Sequence, residues 1–244
     1  MKYQFQSLRS STLLYLSVFL FTYSCSKDSD NIVIPTPELT EYQQTVIDYF
    51  KEVALGFEFG NASRTTRKWN SDMKIFVGGM PSPALLNELD SIAAEINALV
   101  TDGFQMEVVS DQNLSNYYIF LGGSAGYVAL YPGQSNLVNS NWGLFTVFWG
   151  GSQHLNSGHM YVDTERADLI AQKHLLREEL TQSLGLARDS RKFPESIFQS
   201  EWTTTNAYAP IDRELIRLLY HPDVEVGWGA TQVESVLTDI LLNE

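Results

Sequence analysis

The chain has 244 residues, 44% of them hydrophobic and 12% aromatic, which supplies one well-filled core once a leader and a linker are set aside. Its formal net charge of -13 excludes the basic clusters that hold phosphate backbones or attract anionic lipid headgroups, so no nucleic-acid partner is expected. The single cysteine, Cys25, excludes an intrachain disulfide and a thiolate metal centre.

Along the chain, Lys2 and Arg9 precede an apolar run from Leu13 to Phe21, and the small residue Ser24 stands before Cys25. That is the layout of a signal peptide, and the run is too short for a bilayer-spanning helix. Residues 1–24 are read as a signal peptide and 25–38 as a lipidated N-terminus and linker, extended by Pro35 and Pro37. The junction resembles a lipoprotein processing box with Thr22 in place of the usual Leu. Ser26-Lys27-Asp28-Ser29-Asp30 is similar to the Lys-acidic signal of some surface-exported Gram-negative lipoproteins. Both imply a cell-envelope protein held at the outer membrane, on its exposed face, by lipid on Cys25.

Residues 39–244 read as one domain. Thr40 and Gln43 form a capping box, and Val46, Tyr49, Phe50 and Val53 make a helical apolar stripe that Gly56 ends. Met73–Val77 alternates as a strand up to Gly78-Gly79. Ser82-Pro83 starts a second helix, whose buried face is Leu85, Leu89, Ile92, Ile96 and Leu99. Phe104–Val108, Tyr117–Leu121, Gly143–Gly151 and Gly158–Asp163 read as strands, the last two near a sheet edge. Asp163 or Thr164 is the expected cap of a long helix to Leu184, with Gly185 as its terminator. Ile211–Tyr220 and Thr231–Leu242 read as closing helices. The fold class is α+β.

The chemistry-bearing segment runs from His174 to Leu186. At about 3.6 residues per turn, Leu169, Leu176, Leu180 and Leu184 fall on one side of the long helix. His174, Glu178 and Gln182 stack on the opposite side, with Glu179 at their flank. Ala171 and Leu175 beside that polar side argue that part of it faces a cleft.

Glu178-Glu179-Leu180-Thr181-Gln182, followed by Gly185, resembles the zincin active-site helix, His-Glu-x-x-His-x-x-Gly. More closely, Glu178–Gly227 resembles an uncharacterised bacterial lipoprotein domain family grouped with zincin-like metallopeptidases. There Glu-Glu-x-x-Gln, Leu-Gly-Leu, Ser-Ile-Phe and Leu-Leu-Tyr-x-Pro recur, here at Ser196–Phe198 and Leu218–Pro222 among others. The resemblance implies a zincin-like domain: a mixed sheet packed on helices, an active-site-type helix and a helical C-terminal part. It places Glu178 and Gln182 at the zinc-histidine positions and Glu179 at the catalytic one. Arg188 or Asp189, or else Glu214, stands where a third ligand is recruited. Neither standard histidine is present, and no Met follows Gly185 to form a metzincin turn. His174 and Glu178, themselves four residues apart, offer an alternative ligand pair one turn earlier.

Three readings stay open at this point. One is an atypical metallopeptidase holding zinc or another divalent cation through His174, Glu178 and Gln182, with Glu179 as the base. A second is a metal-free descendant binding peptide or glycan in the old cleft, its Glu178 and Glu179 neutralised by Arg177 or Arg188 or left solvated. The third is a plain polar helix face. His154 and His159 are further candidates, on the expectation that they reach over the N-terminal half of the helix. Trp69, Trp142, Trp149, Trp202 and Trp228 would stack on sugars where exposed. Gly122–Gly126 lacks the lysine of a phosphate-binding loop, and no Gly-x-Ser-x-Gly elbow occurs.

Overall fold

A reciprocal capping box begins the fold of the computed structural model, which describes residues 38–244. Thr40 Oγ1 accepts the Gln43 N–H at 3.2 Å, and Gln43 Oε1 accepts the Thr40 N–H at 2.9 Å. Helix α1 (Glu41–Ala54) comes next and buries the expected stripe. The signal segment, Cys25 and nearly all of the linker lie outside the described residues.

The chain continues through β1 (Met73–Gly79), α2 (Pro83–Leu99), β2 (Met106–Val108), β3 (Tyr117–Gly122), α3 (Ser124–Leu130), β4 (Gly143–Trp149) and β5 (Leu155–Asp163). Helices α4 (Leu169–Gln182), α5 (Pro210–Leu219) and α6 (Ala230–Leu242) complete a single α+β domain. The five strands form one mixed sheet, ordered β2-β1-β3-β5-β4, in which only the β4–β5 pair is antiparallel. β4 is therefore an edge, as expected, and β5 lies one strand inside it.

Strand alternation splits the sheet into two faces. Ile75, Ile119, Leu121, Met160 and Val162 enter the main core with α1, α2, α4, α5 and α6. Phe120, Leu144 and Tyr161 point the other way, against Tyr127 of α3. Helix α3 has no counterpart among the elements expected from the sequence. Its two turns exist because Tyr127, fully buried, stacks on Tyr161 with ring centroids 4.7 Å apart. Seven residues with two glycines nearby have no helical tendency of their own.

The long helix starts later than Asp163 or Thr164. Asp163 accepts the N–H groups of Glu165 and Arg166 at 2.9 Å each and the Tyr161 hydroxyl at 2.6 Å, which folds a turn there instead. Asp168 is the true cap, accepting the Ala171 N–H at 2.9 Å. Leu169 is consequently half-exposed at the helix start rather than part of the buried side formed by Leu176 and Leu180.

The helix stops at Gln182, and Gly185 takes φ +115° beyond it. A Cβ at Gly185 would lie 2.0 Å from the Arg67 carbonyl oxygen, so only glycine passes there. Tyr220 locks the same turn: its hydroxyl donates to the Leu184 carbonyl at 3.0 Å and accepts the Trp69 N–H at 3.3 Å. Asp212 does equivalent work downstream, accepting the Ser196 hydroxyl at 2.5 Å and the N–H groups of Ile197 at 3.0 Å and Ala209 at 2.9 Å. The Leu-Gly-Leu, Ser-Ile-Phe and Leu-Leu-Tyr segments thus act together to fix the path of the chain after α4.

Candidate active-site cleft

Between α4 and the outer edge of β4 runs a cleft of about 1160 Å³. Its floor is the polar side of α4, with His174, Glu178, Glu179 and Gln182 all lining it. One wall is β4 from Gly143 to Val147 together with Trp149. The opposite wall comes from the loop after α1 and the segment after α4: Glu58, Ala187, Asp189 and Trp202. A parallel bridge between Phe57 and Ala187 joins these two segments, the Glu58 N–H donating to the Ala187 carbonyl at 3.1 Å.

The floor is neither solvated nor neutralised in the way expected. The Glu178 side chain is only 14% exposed and that of His174 4%. Arg177 turns the other way, donating to Glu88 and Glu95 at 3.1 Å each and lying over the Tyr208 ring. It does not reach Glu178 or Glu179, because one residue along a helix rotates the side chain by about 100°.

Glu179 lies against β4. An ideal Cβ at Gly143 would sit 2.5 Å from Glu179 Oε1 and 2.9 Å from Glu179 Cγ, so the strand accepts this carboxyl only because position 143 has no side chain. Burial, with the charges of Glu178, Asp189 and Glu58 adding to it, drives the Glu179 carboxyl well above the ordinary glutamate range. Burial, then Glu178 and Glu58, pushes Asp189 up to about 7 against the opposing hydrogen bond from Gln182. Glu58 is raised by burial and Glu178, with Arg188 working against them.

His174 is oriented by its neighbours. A carbonyl only accepts, so the 2.7 Å contact with Thr205 O places a proton on Nδ1 and leaves Nε2 facing Glu178 Oε2 at 3.2 Å. Burial alone would lower the imidazole, but the Glu178 carboxylate outweighs it and the net shift is upward. The two side chains thus hold each other in place one turn apart on the helix. Gln182 donates its amide to Asp189 Oδ1 at 2.5 Å.

The structure therefore sorts the candidates. His174, Glu178, Glu179, Gln182 and Asp189 converge on the cleft. Glu214 does not; it pairs with Arg217. His159 sits on the opposite sheet face, bonded through Nδ1 to the Tyr127 hydroxyl at 2.8 Å and stacked on Tyr131 at 3.7 Å, and burial lowers it to about 4. The expectation that it reaches over α4 fails because β5 residues alternate faces and Met160, not His159, points at the helix. His154 does not line the cleft and keeps a buried Nδ1 without a partner. Trp142 and Trp202 are exposed at the cleft, whereas Trp69 is buried core.

Sequence reasoning placed β4 near a sheet edge but missed Glu58 and the part Gly143 plays beside Glu179. The Asp163 N–H donates to the Trp142 carbonyl at 2.7 Å, which sets the phase of the β4–β5 ladder. Leu144, Thr146 and Phe148 then bond to β5, and the N–H and C=O groups of Gly143, Phe145 and Val147 point outward to the cleft.

A zinc ion does not fit these donors. Among the described residues no group of three or more His, Cys, Asp or Glu has metal-holding geometry. The single imidazole faces a carboxylate, and the remaining donors are oxygens, which suit harder cations than zinc.

A family model described as Protein of unknown function (DUF2927) matches residues 43–239. No curated protein matches the chain. Among solved structures, one titled "Structure of Myroilysin" is similar, at 10% identity and a TM-score of 0.39, covering 76% of this chain and 88% of that one. A likeness at that level assigns neither fold nor activity.

Proposed function

The chain belongs to the DUF2927 family, and we propose that it is a peptide-binding protein of the cell envelope built on a zincin-like, metallopeptidase-derived scaffold. One observation carries this reading: the open edge of β4 and the Glu178–Gln182 turn face each other across one cleft. An extended polypeptide adds to such an edge through its own backbone, matching the outward groups of Gly143, Phe145 and Val147. Its scissile-type position would then lie over Glu178 and Glu179. The Glu-Glu-x-x-Gln turn, Gly185 and the antiparallel edge strand beside the helix support the scaffold's descent. A mixed population of decapeptides should protect the Phe145 and Val147 amides from hydrogen exchange while leaving Leu144 and Thr146 unchanged. Equal protection along the strand, or none with any peptide, would remove the reading.

A second reading is favoured by the Gln182–Asp189 contact, which brings the third ligand position of the zincin pattern back against the second. Glu178, Gln182 and Asp189 would hold a hard divalent cation such as calcium, magnesium or manganese, whose chemistry is to polarise a carbonyl oxygen. Glu179 would take a proton from water and return it to the leaving amine. Elemental analysis after mild purification, with peptide cleavage abolished in Glu179→Gln, decides for it; no bound cation and no cleavage leave the binding module.

The proposal extends to the N-terminus. Acylation of Cys25 would tether the domain to the outer membrane, several acyl chains making the anchor stable. Palmitate labelling that survives Cys25→Ala would dismiss the anchor.

A further inference from the structure

We propose that the cleft selects polypeptide segments carrying a lysine or arginine, receiving that side chain along the exposed indole of Trp202 and against the carboxylates of Glu58, Glu178 and Asp189. This rests on the peptide reading above and adds to it the chemistry of the preferred side chain. Among the described residues lining the cleft, the carboxylates are Glu58, Asp168, Glu178, Glu179, Asp189 and Glu201, and the only guanidinium is Arg166. Arg166 is already committed: it pairs with Asp163 and donates to the carbonyls of Val138, Asn139 and Asn141. Arg177 is engaged with Glu88 and Glu95 on the far side of α4. Arg188 acts on Glu58 from outside the lining. His174 meets Glu178 at 3.2 Å, and beyond that contact the lining still holds more carboxylates than basic groups.

The aromatic walls point to the same guest. Trp202 is 59% exposed and Trp142 38%, large apolar surfaces that a folded protein seldom leaves together without use. Their rings meet edge to face at 5.9 Å, and Trp202 also meets His174 edge to face at 5.8 Å. A cation on an alkyl stem satisfies both features: the stem packs on indole, the ring faces attract the charge, and the charged end reaches carboxylate. An apolar peptide would use the walls and leave the carboxylates unanswered; an acidic one would be repelled.

The test uses the full chain with chelator present and three labelled decapeptides, identical except for lysine, norleucine or glutamate at one position, scanned along the peptide. The lysine peptide should bind at least roughly tenfold tighter than its norleucine twin at the favoured position, about one charge-assisted contact. That preference should shrink with rising salt and fall in both Glu58→Gln and Trp202→Ala. Norleucine binding as tightly as lysine overturns this inference and leaves the peptide cleft standing. Failure of all three peptides overturns the cleft reading and this one with it.

Discussion

Replacing Asp189 by asparagine should stabilise the protein above neutral pH and do almost nothing in acid. Asp189 is pushed up to about 7 from an ordinary 3.8 by burial and by Glu178 and Glu58. An acid raised on folding binds its proton more tightly in the folded state, so its contribution to stability is full below 3.8 and is lost as pH climbs through 7. Three units at ~1.36 kcal/mol each set a ceiling of ~4 kcal/mol. Shared repulsion with Glu58 and residual solvent screening reduce that to about 2 kcal/mol. The asparagine oxygen still accepts the Gln182 amide, so the 2.5 Å hydrogen bond has a neutral substitute. Urea unfolding of both proteins at pH 4 and pH 8 gives the comparison. His159 titrates oppositely in the acid half of this range, but it is present in both proteins and cancels in the difference. If Asp189→Asn stabilises equally at both pH values, or destabilises at pH 8, the crowded-carboxylate account is refuted.

Other perturbations test the geometry piece by piece. Gly143→Ala drives a methyl toward Glu179 and Leu175; it should cost ~1–3 kcal/mol, seen as a fall in Tm, and part of that cost should vanish when Glu179→Ala is combined with it. Strict additivity of the two would mean that Glu179 does not lie against β4. Gly185→Ala, whose Cβ meets the Arg67 carbonyl at 2.0 Å with φ +115°, should cost more than ~2 kcal/mol in urea unfolding or prevent folding altogether. His159 is lowered to about 4 by burial, so it supplies stability that is present above 6.5 and lost as pH falls through 4. In His159→Gln the acid-side loss, followed by circular dichroism, should become shallower.

Much of the fold is legible because its signals are local. The α1 capping box, the Ser82-Pro83 start of α2 and the alternation of β1 and β3 lie within a few residues of the structure they specify. The order of elements around α4 comes from the same cues. The hidden parts depend on partners distant in sequence. Helix α3 is held by Tyr161 across the sheet, and nothing in Ser124–Leu130 announces it. Asp163 resembles a helix cap because Asp before a polar-apolar run usually is one; Arg166 and Tyr161 claim it instead. The candidate site divides in the same way. His174, Glu178, Glu179 and Gln182 share a helix, and their spacing brings them to one face. Glu58 reaches that face only through the Phe57–Ala187 bridge, and Gly143 matters only because a carboxyl from another element rests on it. Neither leaves a periodic trace.

The two sides of α4 show why the cleft is not a plain polar helix face. On one side a buried charge is answered: Arg177 meets Glu88 and Glu95, and Lys173 joins Glu88 at 3.0 Å. A single residue further on, Glu178 and Glu179 turn toward Asp189 and Glu58 with only His174 to offset them. A solvated face would leave Glu179, Asp189 and Glu58 near their ordinary values, since water screens them. A structural ion-pair network would supply the missing guanidinium, as the same helix does one position away. Carboxylates kept desolvated and mutually repelling cost stability in the free protein above neutral pH, a cost that a cation entering the cleft would offset. The direction of the Asp189 shift and the exposure of Trp202 are both what the proposed peptide cleft requires.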